Sequence, residues 1–161
     1  HFVDLARFLI GSDIASVQAE AARASAGTCD DVGINLRFLD GSLATIAYTA
    51  LGDTAASKEL IEVYAGGAVF RIDDFRALTI TRDGKSAAKS RGRQDKGFDN
   101  AFKAFTTAVT TGGPPPIDEG ELIETSIATC AVLESLQSGQ RIDLGAATKG
   151  NQDGNQGKEA T

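Results

Sequence analysis

The chain has no methionine and no tryptophan, and only one histidine, two cysteines and three prolines in 161 residues. Cys29 and Cys130 lie far apart, so there is no zinc-ligand spacing and no C-x-x-C redox pair. They read as free thiols acting as small apolar groups. No apolar run reaches the roughly 18 residues of a membrane span, so no membrane partner is expected. Positive charge is in the minority, with 16 Lys and Arg against 22 Asp and Glu and a formal net charge of -6. That balance lacks the basic footprint of a nucleic-acid-binding module. No G-x-G-x-x-G follows a strand, no G-x-x-x-x-G-K-[ST] loop occurs, and no serine sits in an elbow motif. His1-Phe2-Val3-Asp4 has neither the basic flank nor the small-residue cleavage site of a signal peptide, and the expected compartment is cytoplasmic. A chain without methionine that opens inside an amphipathic pattern reads as a piece of a longer protein.

What is present is ordinary for a globular domain: 42% hydrophobic residues, 24% charged residues and 18 glycines. This length fits one domain, able to bury roughly 70% of its unfolded surface. Phe2, Leu5, Ala6 and Leu9 recur at helical spacing, and Gly11 stands where a left-handed cap belongs. From about residue 13 to 85 the period is two. Val32, Ile34, Leu36 and Phe38 alternate with polar or small residues, and Asp40-Gly41 turns the chain into a strand over 43–50. A second hairpin spans 59–64 and 68–72 around Ala65-Gly66-Gly67, and a further strand over 75–82 ends at Asp83-Gly84. With a strand over 14–23 this makes about six.

A basic, polar loop is expected over 85–93. Phe98, Phe102, Phe105 and Val109 then form one stripe of a helix, expected to pack against the sheet. Gly112-Gly113-Pro114-Pro115-Pro116 stops that helix. A last helix over 119–136 carries a wide apolar arc, Gly139 caps it, and Ile142-Asp143-Leu144 adds a short extended piece. Residues 145–161 lack periodicity and read as a mobile tail. The layout is α+β: an open, mostly antiparallel sheet of about six strands with helices packed on one face. Residues 43–50 are small or apolar on both faces, so the open sheet face calls for a cover, and another copy of the chain is the expected one.

The only histidine, His1, stands three residues before Asp4, so on a helix the two share a face. An imidazole beside a carboxylate has the ingredients of a general acid/base near neutral pH, and equally those of a solvated helix start. Lys89, Arg91, Arg93 and Lys96 place four positive charges ahead of a helix, which reads either as a solvated loop or as a seat for a polar or anionic ligand.

Five stretches together carry a resemblance. His1-Phe2-Val3-Asp4-Leu5-Ala6-Arg7-Phe8-Leu9-Ile10-Gly11 resembles the segment opening the C-terminal domain of the Gfo/Idh/MocA oxidoreductases, the glucose-fructose oxidoreductase and inositol dehydrogenase family. Asp40-Gly41-Ser42-Leu43-Ala44-Thr45-Ile46, Lys58-Glu59-Leu60-Ile61-Glu62-Val63-Tyr64, Gln94-Asp95-Lys96-Gly97, and Ile123-Glu124-Thr125 with Leu133-Glu134-Ser135-Leu136 are similar to the same domain, in order, across residues 1–144. The resemblance implies a substrate-site and oligomerisation half, inactive alone, of an enzyme acting on a sugar, polyol or related small molecule. NAD or NADP would be held mainly by a separate N-terminal domain. It implies a catalytic acid/base role for His1 and substrate contacts for Asp4 and Lys96. Phe98 stands where relatives often have histidine. Two readings compete with this one: a non-catalytic binding module using its open sheet face, and a small acid/base enzyme using His1 and Asp4.

Overall fold

In the computed structural model, residues 1–22, 30–90 and 92–145 are described; Cys29, Arg91 and almost all of the tail expected at 145–161 lie outside them. The described chain is α+β, with three helices, eight strands and antiparallel pairing throughout. The strands form two open sheets of four, where the sequence suggested about six strands in one. Two compact units result, one from residues 1–51 with the chain from 117 onward, the other from 52–116.

The first unit opens with α1 (Phe2–Ile10), which ends on Gly11 at φ 73°. A residue with a Cβ is disfavoured in that left-handed conformation. Strands β1 (Ile14–Ala21), β2 (Val32–Phe38) and β3 (Leu43–Tyr48) follow. After 52–116 come α3 (Glu119–Ser138) and the two-residue β8 (Ile142–Asp143). The sheet order is β3-β2-β1-β8. Register places Val17 opposite Leu36 and Ala19 opposite Ile34, and these side chains share the inner face. Val3 of α1 and Ala128, Ala131 and Val132 of α3 close over that face to make the core. Small residues at 128, 131 and 135 let α3 lie close on the sheet.

Because β8 covers β1 over only two residues, much of that edge would be left with bare N–H groups. Side chains of α3 take two of them. The Ser135 hydroxyl accepts from Ala19 N–H at 2.9 Å, and Glu124 Oε1 accepts from Ile14 N–H. Residues 124 and 135 are three helical turns apart on one face, so a single helix can staple both ends of the strand. On the opposite side of the sheet, Leu43, Thr45 and Ala47 are exposed beside Asn35 and Arg37, while Ala44 and Ile46 pack against the core.

The second unit is a meander of β4 (Leu60–Ala65), β5 (Ala68–Asp73), β6 (Ala77–Arg82) and β7 (Lys85–Ser90), followed by α2 (Phe98–Thr111). Gly66-Gly67 and Asp83-Gly84 both have positive φ at the two central positions, the backbone of tight two-residue hairpins. The second of these turns corrects the loop expected over 85–93. Lys85–Ser90 carries no apolar alternation, yet the turn zips it onto β6 as a fully exposed edge strand, and Lys85 and Lys89 guard that edge.

The aromatic stripe also departs from expectation. Phe98, Phe102, Phe105 and Val109 are 75, 71, 58 and 66% exposed, and α2 buries no residue. Periodicity shows which helix face is apolar; it says nothing of what lies opposite. In the sheet, Ile61–Ile72–Leu78 and Val63–Phe70–Ile80 form two apolar rows on one face, yet Ala68 is the only buried apolar residue of the unit among those described.

Candidate functional site

His1 is the N-cap of α1 and Asp4 lies in its first turn. The His1 carbonyl accepts the Leu5 N–H at 2.9 Å and so starts the helix, while its side chain makes no capping bond and stands exposed. Asp4 is half-buried and reaches across to α3, where the Thr125 hydroxyl donates to its Oδ1 at 3.3 Å. The structure therefore gives Asp4 a side-chain partner on α3 and leaves the His1 ring exposed.

One turn further along α1, Arg7 is 7% exposed. Its guanidinium pairs with Glu121 at 2.8 Å and lies 3.7 Å from Glu124, leaving Nε buried without a partner. The Glu124 carboxyl is pushed above the ordinary glutamate range, chiefly by burial and also by nearby Asp13, while the Ile14 N–H and Arg7 pull the other way. This group works as a clamp joining α1, α3 and the start of β1. Arg7 and Glu124 were not singled out from sequence. The available signal was Arg7 three residues after Asp4, on the same helix face.

Lys96 belongs to the second unit and has its own surroundings. Its ammonium bonds Glu59 Oε1 and lies 5.8 Å from the centroid of the Phe75 ring. Phe75 and Asp74 occupy a turn at φ 53° and 48°. Such values cost non-glycine residues about 1–3 kcal/mol each and persist only where neighbours hold them. Here Asp74 N–H donates to the Glu59 carbonyl at 2.7 Å, Gln94 Nε2 donates to Asp74 Oδ1 at 2.8 Å, and Asp95 N–H donates to the Phe75 carbonyl at 3.2 Å. Residues 94–97, which follow the expected loop and end the charged stretch, thus form a structured brace. Phe98 begins α2 with its ring exposed.

The described residues do not suit a dinucleotide. That ligand needs a strand, a glycine-rich turn and a helix N-terminus in a parallel unit, and all pairing here is antiparallel. The N-terminus of α3 is already occupied by the Asp118 carboxylate, bonded to Gly120 N–H, with Glu119 and Glu121 beside it. A phosphate would be repelled there. Among the described residues no group of three acidic, histidine or cysteine side chains converges to hold a metal ion, and no helix is long and apolar enough to cross a membrane.

No family model and no curated protein matches the sequence. Solved structures do match the fold. An oxidoreductase from Agrobacterium radiobacter in complex with NAD+, L-tartaric acid and magnesium aligns with a TM-score of 0.72 at 20% identity, over 91% of this chain and 47% of its own. An aldose-aldose oxidoreductase from Caulobacter crescentus complexed with glycerol aligns with a TM-score of 0.73 at 17% identity, over 88% and 44%. UDP-N-acetylglucosamine 3-dehydrogenase from Acidithiobacillus ferrooxidans gives 0.73 at 17% identity, over 85% and 45%. The fold is that of one part of each of these oxidoreductases and dehydrogenases. The chain spans about half the length of the solved structures it matches.

Proposed function

We propose that this chain is the substrate-site and oligomerisation half of an NAD(P)-dependent oxidoreductase acting on a sugar, polyol or related molecule, cytoplasmic and inactive by itself. The supporting observation is the fold, shared over most of this chain with about half of each matched oxidoreductase. NAD or NADP is held mainly by a separate N-terminal domain, a reading that the antiparallel pairing of the described strands supports. Oxidising a carbinol to a carbonyl releases a proton from the hydroxyl, and His1 is the group that takes it. An imidazole can accept a proton, and His1 is exposed at the start of α1. Asp4, held by Thr125, supplies an oriented acceptor for a substrate hydroxyl, and Lys96 supplies a donor. Homo-oligomers form through an open sheet face, for which the half-exposed rows on β4, β5 and β6 offer apolar surface.

In the longer protein that carries both halves, His1→Asn lowers kcat by roughly 10²- to 10⁴-fold with a smaller change in KM. An unchanged kcat removes His1 from the chemistry. The exposed stripe of α2 favours a second reading, a non-catalytic module that binds another protein. That reading predicts no hydride transfer in any longer form of the chain.

A further inference from the structure

Helix α3 meets the sheet of the first unit and α1 along one side. Glu124, Ala128, Ala131, Val132 and Ser135 are buried there. The other side is open. Leu122, Ile123 and Leu133 are 49, 50 and 58% exposed, and Ser126, Thr129 and Cys130 are exposed among them. A surface helix turns charged residues to water, but from Leu122 to Leu133 the only charged residue is Glu124, and it is buried. The apolar arc thus continues onto the side away from the sheet, which is the pattern of a helix packed on two sides.

We propose that this outer face of α3 is the seat of the domain that holds the redox cofactor. The inference deepens the reading above and rests on it for the identity of the occupant; that the face is made to be covered follows from α3 itself.

The two hydroxyls on the face are already satisfied. Ser126 Oγ donates to the Leu122 carbonyl and Thr129 Oγ1 to the Thr125 carbonyl, both at 2.8 Å. Covering them strands no donor, so the face can be dried without the penalty that a buried, unpaired hydroxyl carries. Cys130 adds a small, weakly polar thiol.

The place of the face selects its occupant. Hydride transfer brings the cofactor to within about 3–3.5 Å of the carbon being oxidised, and the hydroxyl on that carbon is the one assigned to His1 and Asp4. Asp4 accepts from Thr125, which stands one turn from both Leu122 and Thr129 on the flank of the face. A domain that delivers the cofactor there comes down on the first turns of α1 and α3, where the uncharged surface begins. Size agrees, since more than half of each matched oxidoreductase lies outside the part shared with this chain. A second copy of the chain has no such tie to His1 and Asp4.

Cys130, free and exposed, is a built-in reporter. Its alkylation by iodoacetamide, read by mass spectrometry of the peptide that contains it, is compared between this chain and the longer protein that carries both halves. The chain is expected to react freely and the longer protein about 10-fold more slowly or less. That protection should hold over about a hundred-fold dilution, because cover within one polypeptide does not depend on concentration. Ser126→Lys and Leu133→Lys should each restore labelling in the longer protein. Both should leave the melting temperature of the isolated chain within about 2 °C, since these side chains already meet solvent. Equal rates in the two proteins, or protection that survives both substitutions, would overturn the proposal. So would protection that fades on dilution, which assigns the face to a second copy, and a Cys130 already slow in the chain alone. Hydride transfer is read separately. Protection without turnover keeps the docked domain and strikes the oxidoreductase reading; turnover with a freely reactive Cys130 does the reverse.

Discussion

Val17, Leu36 and Phe38 in the first unit are 1% exposed or less, whereas the matching central row of the second sheet, Val63–Phe70–Ile80, is nowhere buried. Both sheets have four antiparallel strands. The difference lies in what covers them. Helices α1 and α3 close over the first sheet with a small-residue face, while α2 turns its phenylalanines to solvent. Burial, more than strand pairing, is what separates a stable element from a marginal one. The second unit therefore depends on turn geometry and on braces such as Glu59–Lys96, and its apolar surface remains available.

Mutation offers the strongest way to break that comparison. Leu36→Ala should cost about 2–5 kcal/mol of unfolding free energy in urea titrations, because it opens a cavity in a closed core. Val63→Ala should cost under about 1 kcal/mol, since that side chain already meets solvent. Equal costs would mean that the two sheets are equally buried in solution. A smaller effect tests the stapled edge of β1. Ser135→Ala strips the acceptor from Ala19 N–H and the donor from the Gln140 carbonyl, at 2.9 and 2.6 Å, and should cost about 1–3 kcal/mol. Full stability in that variant would show that water replaces the hydroxyl.

The gentlest probe is pH. Glu124 holds its proton to higher pH in the folded state than the ordinary value of 4.5, chiefly through burial. Between the two values the folded state binds more protons than the unfolded chain, so stability falls as pH rises through that window. Glu124→Gln keeps an oxygen for Ile14 N–H and should flatten this part of the profile. An unaltered slope would assign it to another group.

Much of this architecture was legible in the sequence because turns and caps write themselves locally. Gly11 and Gly139 mark helix ends, Asp40-Gly41 and Gly66-Gly67 mark hairpins, and Asp83-Gly84 marks a strand end, each at its observed place. The strand Lys85–Ser90 escaped because its residues satisfy no alternation and its pairing is imposed by the preceding turn. The exposure of Phe102 and Phe105 escaped because amphipathicity is a property of one helix, and cover is a property of its surroundings. At the candidate site, His1 and Asp4 were readable from spacing three on a helix. Glu59, Arg7 and Glu124 were not, because a buried acid or base looks like any surface charge until its partner, 37 or more positions away, is known.

The proposed division of labour leaves the redox cofactor mainly to a separate domain. Calorimetric titration of NAD+, NADH, NADP+ and NADPH into the chain tests it most directly. The expected result is no binding heat with any of the four; a saturable, micromolar affinity for one of them would contradict the account.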